Sequence, residues 1–263
     1  MAEPTVCRRT TIPIVVDGNL DKEPWRSAVR TERFGDMATG EPALLDTRAA
    51  LLYDDQNLYV AFWVEEPYPS AKLTERDSLI FAENDVELFV DGGDCYYEFE
   101  INALGTVYEV FFVWKDAYTR GSRFDVREFD LLERNVATFG GNFDREEATF
   151  WRGTHPRGLR WAFLDWDFPG MQAAVQVQGK LNDSTVVSQG WTVEIALPWS
   201  GMGALAGNRP VPPNPGDEWR MFLGRFQKLK LGEQEVQAAW CATPHGIYDT
   251  HMPERFTRVR FEG

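Results

Sequence analysis

The chain has 263 residues, 43% of them hydrophobic, and a formal net charge of −14. That length supplies one large domain with a substantial core, and that hydrophobic share excludes a disordered chain. A surface this acidic repels phosphate and anionic lipid, so neither nucleic acid nor a membrane surface is an expected partner. The longest apolar runs, 49–52 and 110–114, are far too short to cross a bilayer. Residues 1–9 lack a charged segment followed by an apolar stretch, so the chain as it stands reads as cytoplasmic, or as extracellular if a leader has been removed. Cys7, Cys95 and Cys241 are isolated and lack CxxC spacing, which predicts buried reduced thiols.

In chain order, a short helical turn is expected near 23–29. A hairpin over 49–63 follows, in which residues 49–53 meet Leu58-Tyr59-Val60-Ala61-Phe62-Trp63 across the polar turn Asp54-Asp55-Gln56-Asn57. Residues 85–91 alternate at period two, Gly92-Gly93-Asp94 turns the chain, and 96–102 returns it. On that return strand Tyr97, Phe99 and Ile101 share one face, and Glu98, Glu100 and Asn102 share the other. A strand over 106–114 comes next.

Strands are also expected at 191–197, ended by Pro198, then at 218–226, 236–242 and 258–261, with a second helical turn near 199–205. No sustained helical period is present. Many short strands punctuated by Gly and Pro predict an all-β antiparallel sandwich built as a single domain over 1–263. Between about 115 and 172 the pattern breaks down, in a stretch rich in Arg, Asp, Gly and aromatics that includes Trp151, Trp161, Trp166 and Phe168. Structureless loops of this length are rare unless functional, so the stretch reads as an elaborated insertion packed on the sandwich.

Several segments carry a resemblance when taken in order. They begin with Asp17-Gly18-Asn19-Leu20-Asp21-Lys22-Glu23-Pro24-Trp25, then Leu58-Tyr59-Val60-Ala61-Phe62 and Asn84-Asp85-Val86-Glu87-Leu88-Phe89-Val90-Asp91. Next come Tyr96-Tyr97-Glu98-Phe99-Glu100-Ile101-Asn102, residues 190–199, and Gly216-Asp217-Glu218-Trp219-Arg220. Trp240-Cys241-Ala242-Thr243-Pro244 and residues 251–256 close the set. Together they resemble the family 9 carbohydrate-binding modules, in particular the stand-alone bacterial proteins similar to them.

The resemblance implies a two-sheet antiparallel sandwich and a non-catalytic role in holding a mono- or oligosaccharide. It implies aromatic faces at Phe81 and Trp240, with Glu87 accepting hydrogen bonds from sugar hydroxyls and Arg225 and Gln237 nearby. Trp240 has two readings, platform or core, and its place in the family pattern favours the platform. Glu98 and Glu100 alternate near Glu87 and are candidates to line the same groove. No cofactor is required, although the family often carries structural calcium, and the turns at Asp54-Asp55 and Asp91-Gly92-Gly93-Asp94 offer hard oxygen donors.

Other chemistries find less support. His155, His245 and His251 lack zinc spacing, and no GxSxG elbow or phosphate loop is present. Two rivals remain: a carbohydrate-active enzyme using carboxylates near Glu87, and a haem-b electron-transfer domain drawing axial ligands from His251 and Met252. Neither a marked acid/base pair nor a haem motif supports them.

Overall fold

The computed structural model of the chain describes residues 3–141 and 155–263. Trp151, from the aromatic insertion, lies outside these residues. The described chain is built almost wholly of strands. The first seven are β1 (Thr5–Arg9), β2 (Gly35–Asp36), β3 (Thr47–Tyr53), β4 (Asn57–Glu65), β5 (Asp85–Asp91), β6 (Cys95–Asn102) and β7 (Val107–Trp114). The remainder are β8 (Val136–Phe139), β9 (Arg160–Phe163), β10 (Gln172–Gln178), β11 (Gly190–Pro198), β12 (Glu218–Leu231), β13 (Gln234–Cys241) and β14 (Thr257–Glu262). Helix is limited to single turns, including Glu23–Ser27 and Gly203–Ala206, near the two positions expected.

The strands hydrogen-bond in the order β10-β11-β4-β3-β1-β14-β12-β5-β6-β7-β9-β8, with β13 added beside β12. All pairings are antiparallel except the two made by β1, which runs parallel to β3 and to β14. That strand joins the two halves. The halves face each other across one hydrophobic cluster that draws Leu51, Val60, Phe62, Val193 and Ile195 from one side and Leu88, Val90, Phe99, Phe111 and Leu223 from the other. The result is an antiparallel sandwich whose two layers share one continuous ladder, as the alternation in the sequence predicts.

The insertion is more ordered than its sequence suggests. Within it, β9 pairs with β7 and β8 pairs with β9, so this stretch lengthens one layer at its edge. Short, aperiodic strands of four residues carry little signal in sequence, which explains the difference.

The opening motif has a structural cause. Glu194, on β11, is fully buried, and the opening segment of the chain wraps it with donors. Trp25 Nε1–H donates at 2.7 Å, the Asp17 and Gly18 amides donate at 2.9 and 3.2 Å, and Lys22 Nζ stands 2.8 Å away. Gly18 has φ +77, and a Cβ there would meet the Val175 backbone at 2.7 Å, so only glycine fits this approach. The wrapped segment places Leu20 and Trp25 over Ala50, Leu52, Tyr59 and Ala61, sealing the outer face of the β3–β4 layer. Replacing Glu194 with Ala strands the buried Trp25 indole and Gly18 amide and takes one partner from the half-buried Lys22, so Glu194→Ala should cost about 3–5 kcal/mol. Urea denaturation measures this; a loss under about 1 kcal/mol would show that the segment is held by apolar packing alone.

Candidate functional site

Period-two alternation divides β5, β6 and β7 into two faces. Val86, Leu88 and Val90 point into the core with Tyr97, Phe99 and Ile101. The opposite face carries Asp85, Glu87, Glu98, Glu100, Tyr108 and Phe112. Register aligns them: Glu100 lies opposite both Glu87 and Tyr108, and Glu87 lies opposite Gly224 on β12. Next to Phe112 on the neighbouring strands come Ala162 and Ala137, whose small side chains leave a depression in the sheet face.

That depression is a cavity of about 480 Å³, lined by Phe81, Glu87, Glu98, Glu100, Tyr108 and Phe112, by Phe139 and Leu164 from the insertion, and by Phe226 and His251. The volume falls within the range of small-molecule sites, about 300–1,000 Å³. Phe81 stands at the rim on a 3₁₀ turn, Ile80–Ala82, with 40% of its surface exposed. Its ring meets Tyr108 edge-on at 5.8 Å between centroids.

The floor is electrostatically unusual. Asp85, Glu87, Glu98 and Glu100 are all buried on one sheet face. Burial pushes the Asp85 and Glu100 carboxyls well above the ordinary carboxylate range, and neighbouring carboxylates push Glu100 further. Burial raises Glu98 to about 7, partly offset by its hydrogen bond with Glu100 and by Arg160. Among the described residues that line the cavity there is no Lys or Arg. Among the described residues, Arg225 brings positive charge towards Asp85 and Arg160 towards Glu98. Arg160 Nη1–H donates to Tyr96 Oη at 2.7 Å, Tyr96 Oη meets His251 Nδ1 at 3.0 Å, and His251 Nε2 lies 4.0 Å from Glu98.

The residues expected at the site divide between the two faces. Phe81 and Glu87 line the cavity together, and Glu98 and Glu100 lie beside them. Gln237 is exposed on the same side, where its Nε2–H donates to the Phe81 carbonyl at 2.7 Å and so anchors the rim turn. Arg225 and Trp240 do not join them. Arg225 pairs across the ladder with Val86 and Trp240, a core row, so both side chains point into the sandwich. Trp240 is only 3% exposed, and its expected role as a solvent-facing platform is corrected to core packing. Arg225 is fully buried; it donates to Thr47 Oγ1 at 2.8 Å and stands 3.9 Å from Glu66, with its cation 5.2 Å from the Trp240 ring.

Asp85, Tyr108, Phe112, Phe139, Phe226 and His251 were not singled out from sequence as cavity residues. Tyr108 and Phe112 share a strand parity that extends the Glu98–Glu100 face, so a register for β7 would have found them. Phe139 comes from the insertion, where no period was available.

Metal and haem readings can be compared with the same geometry. In the turns considered for calcium, Asp54 accepts from the Gln56 and Asn57 amides and from Tyr59 Oη–H, Asp91 accepts from the Gly93 amide, and Asp94 pairs with Arg157. Among the described residues, the set of three side chains with donor atoms within 4.8 Å of one another is Asp85, Glu87 and Glu100, of which Glu87 and Glu100 line the cavity and Asp85 lies buried beside them; it is not in those turns. His251, weighed as an axial haem ligand, has its ring set between Tyr96 and Glu98.

No family model and no curated protein matches the sequence. The fold is that of the family 9 carbohydrate-binding modules, an antiparallel sandwich. Solved structures similar to this chain include such a module from Caldicellulosiruptor kristjanssonii in complex with cellotriose (TM-score 0.53, 11% identity, covering 99% of this chain and 94% of that one). The same organism's family 9 module in complex with glucose gives a TM-score of 0.51 at 12% identity, over 98% of this chain and 96% of that one. A candidate carbohydrate-binding protein from Bacteroides uniformis gives 0.53 at 14% identity, over 99% and 100%. At these identities the likeness is one of fold.

Two predictions follow from the geometry. Trp240→Ala should open a core cavity and cost roughly 3–5 kcal/mol in chemical denaturation, whereas wild-type stability would return Trp240 to the surface. The second concerns Glu98, whose folded value lies above its unfolded one. Its contribution to stability is therefore full below about 4.5 and is lost as pH rises through about 7. Glu98→Gln removes the penalty of the buried charge, so it should stabilise the protein by roughly 1–3 kcal/mol at ~pH 8 and by less at ~pH 5. Melting curves at the two pH values decide it, and equal effects at both would contradict the burial of an ionised Glu98.

Proposed function

We propose that this chain is a carbohydrate-binding domain that holds a mono- or oligosaccharide in the cavity on the β5–β6–β7 face. The observation that carries this reading is the pairing of ring faces with buried acceptors in one enclosed depression: Phe81 and Tyr108 at the rim, Glu87 and Glu100 on the floor. Sugar rings present C–H faces that aromatic rings cover, and hydroxyl edges that donate to carboxylates. Known sandwiches of the same fold in complex with cellotriose and glucose support it.

A binding role is favoured over hydrolysis by the spacing of the carboxyl groups. Glycosidases hold their two groups about 5–5.5 Å or 6.5–9.5 Å apart. Here the Asp85, Glu87 and Glu100 donor atoms lie within 4.8 Å of one another, closer than either spacing. Such a cluster offers acceptors to one ligand group.

Titration calorimetry with glucose, cellobiose and cellotriose tests the reading. Phe81→Ala should weaken binding roughly two- to tenfold with little change in melting temperature, because the ring is already half exposed. Glu87→Gln should weaken it by about tenfold or more. Absence of heat with every sugar, or binding indifferent to both substitutions, would refute the assignment.

A further inference from the structure

The cavity has the right size and walls for a sugar, but its floor is more acidic than a neutral ligand needs. Glu100 lines the cavity with only 1% of its surface exposed, yet among the described residues its Oε2 has no hydrogen-bond partner. Asp85, fully buried on the same face, has an Oδ2 in the same condition. A buried carboxylate oxygen left without a donor is costly, and neutral hydroxyls offset that cost only in part. A positive charge on the ligand offsets it directly.

Geometry points the same way. Donor atoms of Asp85, Glu87 and Glu100 lie within 4.8 Å of one another. An ammonium nitrogen hydrogen-bonded to three oxygens at about 2.8 Å in tetrahedral directions needs those oxygens about 4.6 Å apart or less, which that limit allows. The walls add to the fit, since Phe81, Tyr108, Phe112, Phe139 and Phe226 line the cavity and aromatic rings attract cations. A bare divalent ion also suits three carboxylates, but it uses neither the aromatic walls nor most of the volume.

We propose that the cavity selects a ligand carrying a primary ammonium group, which, given the carbohydrate-binding reading on which this rests, is an amino sugar. Its amine sits on the Asp85–Glu87–Glu100 floor and its ring lies against Phe81 and Tyr108. The neutral sugar of the same shape binds more weakly, because it leaves the floor uncompensated.

The test is titration calorimetry of the whole chain at low salt near neutral pH with glucosamine, N-acetylglucosamine, glucose, cyclohexylamine and calcium chloride. Glucosamine should bind at least about tenfold tighter than glucose or N-acetylglucosamine. In Glu100→Gln and in Asp85→Asn that preference should fall to about twofold or less. Because the preference is read first on the unsubstituted protein, it stands even if one variant folds poorly. Equal affinity for glucose and glucosamine would overturn the selection for a cation and leave sugar binding standing. Binding of cyclohexylamine without any sugar would uphold the selection for a cation and overturn the carbohydrate reading. Calcium binding that excludes glucosamine would overturn the amine in favour of a metal, and silence with all five ligands would overturn both readings.

Discussion

Four carboxyl groups, those of Asp85, Glu87, Glu98 and Glu100, are withdrawn from water on one face of a sheet whose other face is hydrophobic core. Strand parity leaves the chain little choice in this. Once Val86, Leu88, Phe99 and Ile101 are committed to the interior, the residues between them must point the other way. The long insertion then extends that second face with β9 and β8 and adds Phe139 and Leu164 to the lining of the cavity. Dehydration raises the affinity of Asp85, Glu98 and Glu100 for protons, crowding adds to it at Glu100, and the same setting favours a ligand that donates hydrogen bonds or brings positive charge.

Other buried carboxylates of the same molecule show what a structural role looks like. Glu194 receives the Trp25 indole, two backbone amides and the Lys22 ammonium. Glu66 receives the Trp191 indole at 2.7 Å and the Asn84 amide at 2.6 Å, with Arg225 close by. Glu109 receives Tyr97 Oη–H, the Arg76 guanidinium and the Phe168 amide. Each is a hub that ties distant segments to one layer. On the acidic face Asp85 accepts from the Phe226 amide, but Glu100 Oε2 and Asp85 Oδ2 have no partners among the described residues. Buried polar groups left in that state are a cost to stability, and sites of binding are where such a cost is commonly found.

Much of the fold is legible in the sequence where alternation is strong. The hairpins formed by β3 with β4 and by β5 with β6 fall within a residue or two of the positions that periodicity predicts. The strands β1, β8 and β9 escape notice because they are short and aperiodic, and the β12–β13 hairpin runs further than expected through the charged residues around its turn. The site is legible in part for the same reason. Phe81 and Glu87, both expected at the site, line the cavity together, and they sit on, or just before, a strand with clear parity. Trp240 was assigned to the wrong face because its parity depends on a ladder: it pairs with Arg225, which pairs with Val86, which points inward. A one-residue change of register would have put it on the cavity side, and sequence alone does not fix register between distant strands.

The most direct test of this account is a crystal structure of the chain soaked with a sugar that it binds in solution. The account predicts density in the β5–β6–β7 cavity, with the ring against Phe81 and polar contacts to Glu87 and Glu100. Density elsewhere, for instance in the shallower groove beside Trp63, Arg30 and Trp191, with that cavity unchanged, would contradict it.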